Sequence, residues 1–451
     1  MATAVVWFRR DLRLSDNPAL LEAVAAAGPD GAVVPCFVLD PRLLGAAGAP
    51  RVAFLVRCLQ ELDRSMGGHL VVRPGPPATT IPALAAEVGA TSVHAAEDFG
   101  PYGRQRDDDV ARTLADVGID LQLDGSAYAV PPGTVTTAAG GGYKVFTPFA
   151  RAWRGHGWPE PVLAPSNVRW AEGVASDRVP DEPVVACDLP AAGEQAAQAA
   201  ARRFWERGLD DYDERRNRPD LPDGTSRLSA HLKYGTIHPR QLLALLGRSR
   251  SEGRFRTELC WREFYADVLF HRPDTARRSF NEKMAAIEVD TGPSTDERFA
   301  AWAEGRTGFP IVDAGMRQLR GEAWVHNRVR MIVASFLVKD LHLDWTRGAR
   351  WFMTHLVDGD LASNQHGWQW TAGTGTDPSP YFRIFNPVTQ GERFDPDGDY
   401  VRRWIPELAG VDRRWVHHPW DDPAGLPAGY PGPIADHAVE REEALRRYRG
   451  L

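Results

Sequence analysis

The chain has 451 residues, 43% of them hydrophobic, a net charge of -7 and four cysteines. That is enough for two or three domains with sizeable cores, and the scatter of Cys36, Cys58, Cys187 and Cys260 excludes a disulfide framework or a zinc site. The longest apolar runs, such as 331–338, fall well short of the roughly 20 residues of a membrane span, so a cytoplasmic protein is expected, with any nucleic-acid face a local patch.

From Ala4 onward short β-branched runs alternate with helical patterns. Strands are predicted at 4–8, 33–39, 70–72, 92–94 and 121–123, with helices near 17–27, 51–65, 80–88 and 104–117. Strands separated by such helices read as βαβ units, so residues 1–125 form a doubly wound parallel α/β domain. Asp16 or Asn17 caps the first helix and Pro18 fits its first turn. No Gly-x-Gly-x-x-Gly follows the first strand, which argues against a dinucleotide held in the usual Rossmann manner.

Residues 126–195 form a connector rich in Pro, Gly and Ala, carrying Trp153, Trp158 and Trp170. Its Tyr-Lys-Val-Phe-Thr-Pro-Phe run at 143–149 is too apolar for a free linker. From 196 to 451 the pattern is helix after helix, an all-α domain. There Gly224-Thr-Ser-Arg-Leu-Ser229 offers backbone N–H groups, hydroxyls and a guanidinium, chemistry for a diphosphate, although a capped helix start looks similar. In Glu258-Leu-Cys-Trp-Arg-Glu-Phe-Tyr265, helical spacing lines up Glu258, Trp261, Arg262 and Tyr265, which suits a recognition stripe, although an amphipathic helix with a buried Trp and solvated charges reads the same way. Trp324-Val-His-Asn-Arg-Val-Arg-Met331 places Asn327 and Met331 four apart beside Arg328 and Arg330, while His326 alone reads as structural. The stretch 358–377 packs Asp358, Asp360, Asn364, Trp368 and Trp370 into thirteen residues, a combination suited to a flat, polar, redox-active ligand, although a capped helix start followed by core tryptophans reads equally well. Pro380-Tyr-Phe-Arg-Ile-Phe-Asn-Pro-Val-Thr-Gln-Gly-Glu-Arg393 then interleaves arginines with aromatic faces, as nucleic-acid contacts require.

Together Trp7-Phe-Arg-Arg-Asp-Leu-Arg-Leu14, Lys144-Val-Phe-Thr-Pro-Phe149, Thr225-Ser-Arg-Leu-Ser229, Trp261-Arg-Glu-Phe264, Thr307-Gly-Phe-Pro-Ile-Val-Asp313, His326-Asn-Arg328 and 358–370 resemble the DNA photolyase and cryptochrome family, nearly end to end. The likeness is greatest to bacterial class I enzymes for cyclobutane pyrimidine dimers. It implies an α/β antenna domain and a helical domain holding FAD beneath a lesion pocket. Residue by residue, it gives Tyr212, Thr225, Ser226, Arg227, Leu228, Ser229, Arg330, Asp358, Gly359 and Asp360 to FAD, with Arg330 pairing Asp358 and Asn364 facing flavin N5. The lesion and DNA side receives Arg216, Glu258, Trp261, Arg262, Tyr265, Asn327, Arg328, Met331, Trp370 and Gln390. The implied substrate is a dimer flipped out of DNA, split by an electron from photoexcited reduced flavin, with Glu258 on the base edge. The (6-4) enzymes carry His at the positions of Asn327 and Met331, so their absence here favours the cyclobutane dimer.

The resemblance also matches Trp368 and Trp345 to the first two tryptophans of the family's electron relay, whereas the third position falls near Gly292 without an aromatic. Trp302 matches a structural tryptophan. Folate-binding members share an Asn-Glu pair where this chain has Tyr102 and Gly103. The segments 51–62 and 100–107 instead look like members that bind 8-hydroxy-5-deazaflavin, which makes that the implied antenna and methenyltetrahydrofolate the lesser alternative. A monomer is expected. The alternative reading is a cryptochrome-type blue-light receptor, which often adds a long disordered tail, whereas this chain ends soon after a helical pattern.

Overall fold

The apolar run Thr3–Phe8 forms β1, the central strand of a parallel sheet, because side chains buried on both faces suit an interior strand. The computed structural model describes residues 2–376 and 383–451. The other strands are β2 (Ala32–Leu39), β3 (Val71–Pro74), β4 (Ser92–Glu97) and β5 (Leu121–Ser126), in the order β3-β2-β1-β4-β5. Val5 lies opposite both Val34 and Val93, so the register aligns apolar positions across the middle of the sheet. The crossovers are helices α1 (Pro18–Ala27), α2 (Pro41–Ala46), α3 (Ala49–Ser65), α4 (Pro77–Glu87) and α5 (Pro101–Ala115). Asn17, not Asp16, caps α1, its side chain accepting the Leu20 N–H. Winding reverses between β1 and β4, where a doubly wound sheet opens a crevice at its carboxyl edge.

The connector packs as its aromatics require. It contains α6 (Phe146–His156), where Trp153 is fully buried, and it bridges Trp170 to Val33 of β2 and Asp177 to Val72 of β3. Then follow α7 (Glu194–Arg207), α8 (Tyr212–Arg215), α9 (Ser229–Tyr234), α10 (Pro239–Ala244), α11 (Arg250–His271), α12 (Pro293–Glu304), α13 (Pro310–Glu322) and α14 (Asn327–Ser335). The chain continues through α15 (Trp345–His355), α16 (Leu361–Ala372), α17 (Pro387–Phe394), α18 (Asp399–Trp404) and α19 (His437–Arg449). Among the described residues no strand follows β5.

By contacts the chain forms two compact units of three segments each. The first holds residues up to 185, 190–206 and 227–273; the second holds 186–189, 207–226 and 274–451. The boundaries expected at 125 and 195 mark changes of secondary structure, whereas these units follow packing, and α9 to α11 group with the sheet. The cause lies on α11. Its buried Glu263 accepts N–H groups from Ala129 (2.6 Å), Val130 (3.0 Å) and the Trp153 indole (2.6 Å), and Asp267 accepts from Gly133 (2.7 Å). The first unit has a core around Val5, Trp7, Val34 and Val93; the second gathers Trp302, Phe336, Phe352 and Trp368.

Candidate functional site

In the first unit, α11 begins at a capping box in which Ser249 and Glu252 satisfy each other's backbone N–H groups. One of its faces is buried through Leu259, Cys260, Glu263 and Phe264, leaving Glu258, Trp261, Arg262 and Tyr265 as the half-buried stripe foreseen from spacing. Trp261 and Tyr265 lie together, with ring centroids 5.4 Å apart. Arg262 is engaged locally: its guanidinium donates to the carbonyls of Ala127 (3.0 Å) and Leu232 (3.1 Å) and lies 4.7 Å over the Tyr128 ring. Trp261 stacks on Phe146 at 3.6 Å between centroids and 5° between planes.

In the second unit, α14 starts with His326 as its cap, accepting the Arg328 N–H through Nδ1 at 3.1 Å, the structural role expected of that residue. Asn327 is exposed, Arg328 and Met331 are half-buried, and Arg328 donates to Asn217 Oδ1 at 2.9 and 3.2 Å. That bond ties α14 to the segment carrying buried Tyr212 and Arg216, whose guanidinium lies 5.8 Å from the Tyr212 ring. Arg330 donates to the Val325 carbonyl (2.8 Å) and to Asp358 Oδ2 (2.7 Å). The other oxygen of Asp358, Oδ1, is buried without a hydrogen-bond partner among the described residues. Gly359 is buried, and Asp360 caps α16 by accepting the Ser363 N–H at 3.1 Å. Asn364 donates its amide to Ala349 O (3.0 Å) and Gln365 Oε1 (2.9 Å), which leaves its oxygen as the acceptor for a ligand.

Farther along α16, Trp368 is buried against Phe352 (5.1 Å) and Trp302 (6.1 Å), while Trp370 is half-buried. Trp302 donates to the Val333 carbonyl at 3.0 Å, as a structural tryptophan does. Trp345 donates to Ser279 Oγ at 3.2 Å and lines a cavity of about 380 Å³ with Ser279, Met284 and Ile287. Gly292 is exposed, with φ 100°. Gln390 is half-buried on α17. Asp377 and residues 380–382 of the arginine-aromatic run lie outside the described residues.

The diphosphate motif straddles the two units: Thr225 and Ser226 belong to the second, Arg227, Leu228 and Ser229 to the first. Arg227 has φ 51°, a left-handed residue between extended Thr225 and the start of α9 at Ser229. Sequence reasoning gave no role to Glu263, Asn217 or Phe146. Glu263 and Phe146 carried a signal only as members of the runs 261–264 and 144–149.

At the carboxyl edge of β1 and β4 a second polar cluster forms. Arg9 pairs with Asp107, Arg106 bonds Asp107 (3.0 Å) and Asp98 (3.3 Å), and both guanidiniums lie on the Trp7 ring at 4.5 and 5.0 Å. Burial pushes the Asp98 carboxyl up, but Arg106, Arg10 and Arg9 outweigh it and hold the pKa below the usual range. Tyr102 donates to Asp40. A Cβ on Gly103 would fall 2.2 Å from Asp98 Cγ, so no larger residue enters there without moving that carboxylate.

A doubly wound parallel sheet followed by an all-helical region is the architecture shared with photolyase and cryptochrome structures. Residues 255–450 match the FAD binding domain of DNA photolyase, and residues 4–166 match the DNA photolyase domain. The deoxyribodipyrimidine photo-lyase of Streptomyces griseus is 42% identical over 100% of both chains. Among solved structures, a class III photolyase from Agrobacterium tumefaciens superposes with TM-score 0.93 at 39% identity, covering 100% of this chain and 98% of that one. A Synechocystis cryptochrome gives TM-score 0.89 at 27% identity, covering 99% of each. The chain belongs to the DNA photolyase family and carries its FAD-binding domain. The residues present fit that group: buried Asp358 Oδ1 and the Asn364 oxygen are acceptors awaiting donors.

Proposed function

We propose that this chain is a light-driven deoxyribodipyrimidine photo-lyase that returns cyclobutane pyrimidine dimers in DNA to two pyrimidines. When bound and reduced, FAD supplies the light-excited electron that opens the dimer. Tyr212 and Thr225 to Ser229 would hold its phosphates, Asp358 with Arg330 and Asp360 would set its charge environment, and Asn364 would face N5, its amide able to donate or accept there. Trp261 and Trp370 stack the flipped bases, and Glu258 bonds a base edge. Asn327, Arg328, Met331 and Gln390 bound the lesion, while Arg216 meets the DNA backbone. No general acid, base or nucleophile acts. Trp368 and Trp345 match the first two relay tryptophans, and with no aromatic near Gly292 the repair reading rests on flavin that is already reduced.

The observation that carries the reading is the half-buried stripe on α11: an indole flanked by an acid and a phenol, beside the buried face of Leu259, Cys260, Glu263 and Phe264, suits a recognition surface. The likeness to a cryptochrome adds no second reading, because the curated relative matched over its whole length is a photo-lyase. For the antenna, 8-hydroxy-5-deazaflavin at the β1–β4 crevice is favoured over a folate, since Tyr102 and Gly103 stand where the folate-type pair would be and Asp98 crowds residue 103. We place the enzyme in the cytoplasm as a monomer; among the described residues no helix is long and apolar enough to cross a membrane.

The test is anaerobic. Chemically reduced protein is mixed with DNA carrying one thymine cyclobutane dimer and illuminated with blue light, and thymine absorbance is followed against a dark control. Recovery in the light alone supports the proposal; reduced flavin without recovery sinks it.

A further inference from the structure

Face-to-face contact between Phe146 and Trp261 joins residues 115 positions apart in sequence, at 3.6 Å and 5°. A centred sandwich is not the geometry two free rings choose, so the surrounding frame must impose it. That frame is visible. Phe146 opens α6, which is anchored by buried Phe149 and Trp153, and the Trp153 indole donates to buried Glu263 of α11 at 2.6 Å. Fully buried Phe264 turns an edge to both stacked rings, 5.7 Å from each, at 74° to Phe146 and 75° to Trp261. Tyr265 closes in at 5.4 Å and 44°. The indole is thus held by two aromatic neighbours from its own helix and one from the connector.

An indole has two faces. With one covered by phenyl, a single face remains for a base, and the ring's orientation is settled before any ligand arrives. Fixing a side chain in advance removes an ordering cost from binding without adding a contact to the ligand. We infer that Phe146 is a positioning residue for lesion recognition, a backstop that presents one face of Trp261 to a flipped pyrimidine dimer; this rests on the assignment of Trp261 to the lesion side proposed above.

The effect of Phe146 must therefore fall on affinity for damaged DNA. We expect Phe146→Leu in the FAD-loaded protein to weaken binding to a duplex carrying one thymine dimer by about 3- to 10-fold, the cost of one newly mobile side chain. Binding to the same duplex without the dimer should hold, and Phe146→Tyr should restore the lesion affinity. Dark fluorescence anisotropy with both duplexes measures the two affinities, and single-flash repair of saturated complex shows that yield per bound dimer is not where the loss falls. Phe146→Leu keeps an apolar side chain against Phe264, and thermal melting confirms the fold. Trp261→Ala runs alongside. If it loses lesion discrimination while Phe146→Leu does not, the inference fails and the assignment of Trp261 stands. If Trp261→Ala keeps discrimination, the assignment itself fails and the inference with it. Tighter lesion binding by Phe146→Leu would also overturn it, because Phe146 would then be covering the face that the dimer needs.

Discussion

The indole of Trp368 lies so close to the backbone of Gly348 that a Cβ on residue 348 would fall 2.1 Å from Trp368 Cη2 and 2.5 Å from Leu337 Cδ2. Helices α15 and α16 meet at that point because a residue without a side chain lets the ring in. Gly348→Ala should cost about 1–3 kcal/mol through overpacking and displace the ring. Urea unfolding measures the loss, and photoreduction of bound flavin should slow in step. Unchanged stability would mean the helices slide apart freely and the close approach has no energetic weight.

Asp358 is buried, with one oxygen on Arg330 and the other without a partner among the described residues. Asp358→Asn keeps the shape but removes the charge, weakening a charge-assisted bond worth about 1.5–3 kcal/mol. FAD affinity should fall by roughly tenfold or more, since 1.4 kcal/mol is a factor of 10. Titration of stripped protein with FAD, read by flavin fluorescence, tests it; full retention of affinity would remove Asp358 from the cofactor site.

His366, inside α16, is pushed down to about 4 by burial. Unfolded, it titrates near 6.5, so between these values the unfolded chain binds the extra proton and stability falls as pH falls. At pH 5 the contribution of this one residue amounts to a loss of about 2 kcal/mol relative to neutral pH. His366→Gln should therefore melt closer to wild type, or above it, at pH 5 than at pH 7.5. A difference between the two proteins that does not move with pH would refute the assignment.

Glu263 takes three N–H donors from Ala129, Val130 and Trp153. Burial pushes its pKa up while these donors push it back, leaving it raised. Glu263→Gln turns an NH2 group toward donors and should cost about 1–3 kcal/mol. Denaturant unfolding checks the direction, and Glu263→Ala should cost more.

Much of this was legible in the residues. The strands foreseen from β-branched runs start within a residue of the observed ones, interior β1, β2 and β4 and edge strands β3 and β5 alike, whereas their ends differ more. Asn17 and Asp16 both suited a cap, and only the folded backbone, with Asp16 at φ 53°, decided between them. Arg262 sits on the foreseen stripe, yet its long side chain reaches the carbonyls of Ala127 and Leu232; helical spacing places a Cβ, not a guanidinium. The pairing of Asp358 with Arg330 came through the resemblance, not through spacing. Glu263 was invisible as a hub, since an acid on an amphipathic helix reads as solvated until its buried partners are known. The Phe146–Trp261 stack joins distant parts of the chain, and periodicity carries no information at that range.

The interleaving of the two units has a consequence for synthesis. The sheet-bearing unit requires residues 227–273, which leave the ribosome well after the last strand and after two stretches of the other unit, 186–189 and 207–226. A nascent chain stopped at residue 195 would expose the apolar side of α6 with no α11 to cover it. Neither unit can be completed before the other has begun, so both must remain open together during translation, and a clean genetic excision of either from this chain is ruled out by the order of its segments.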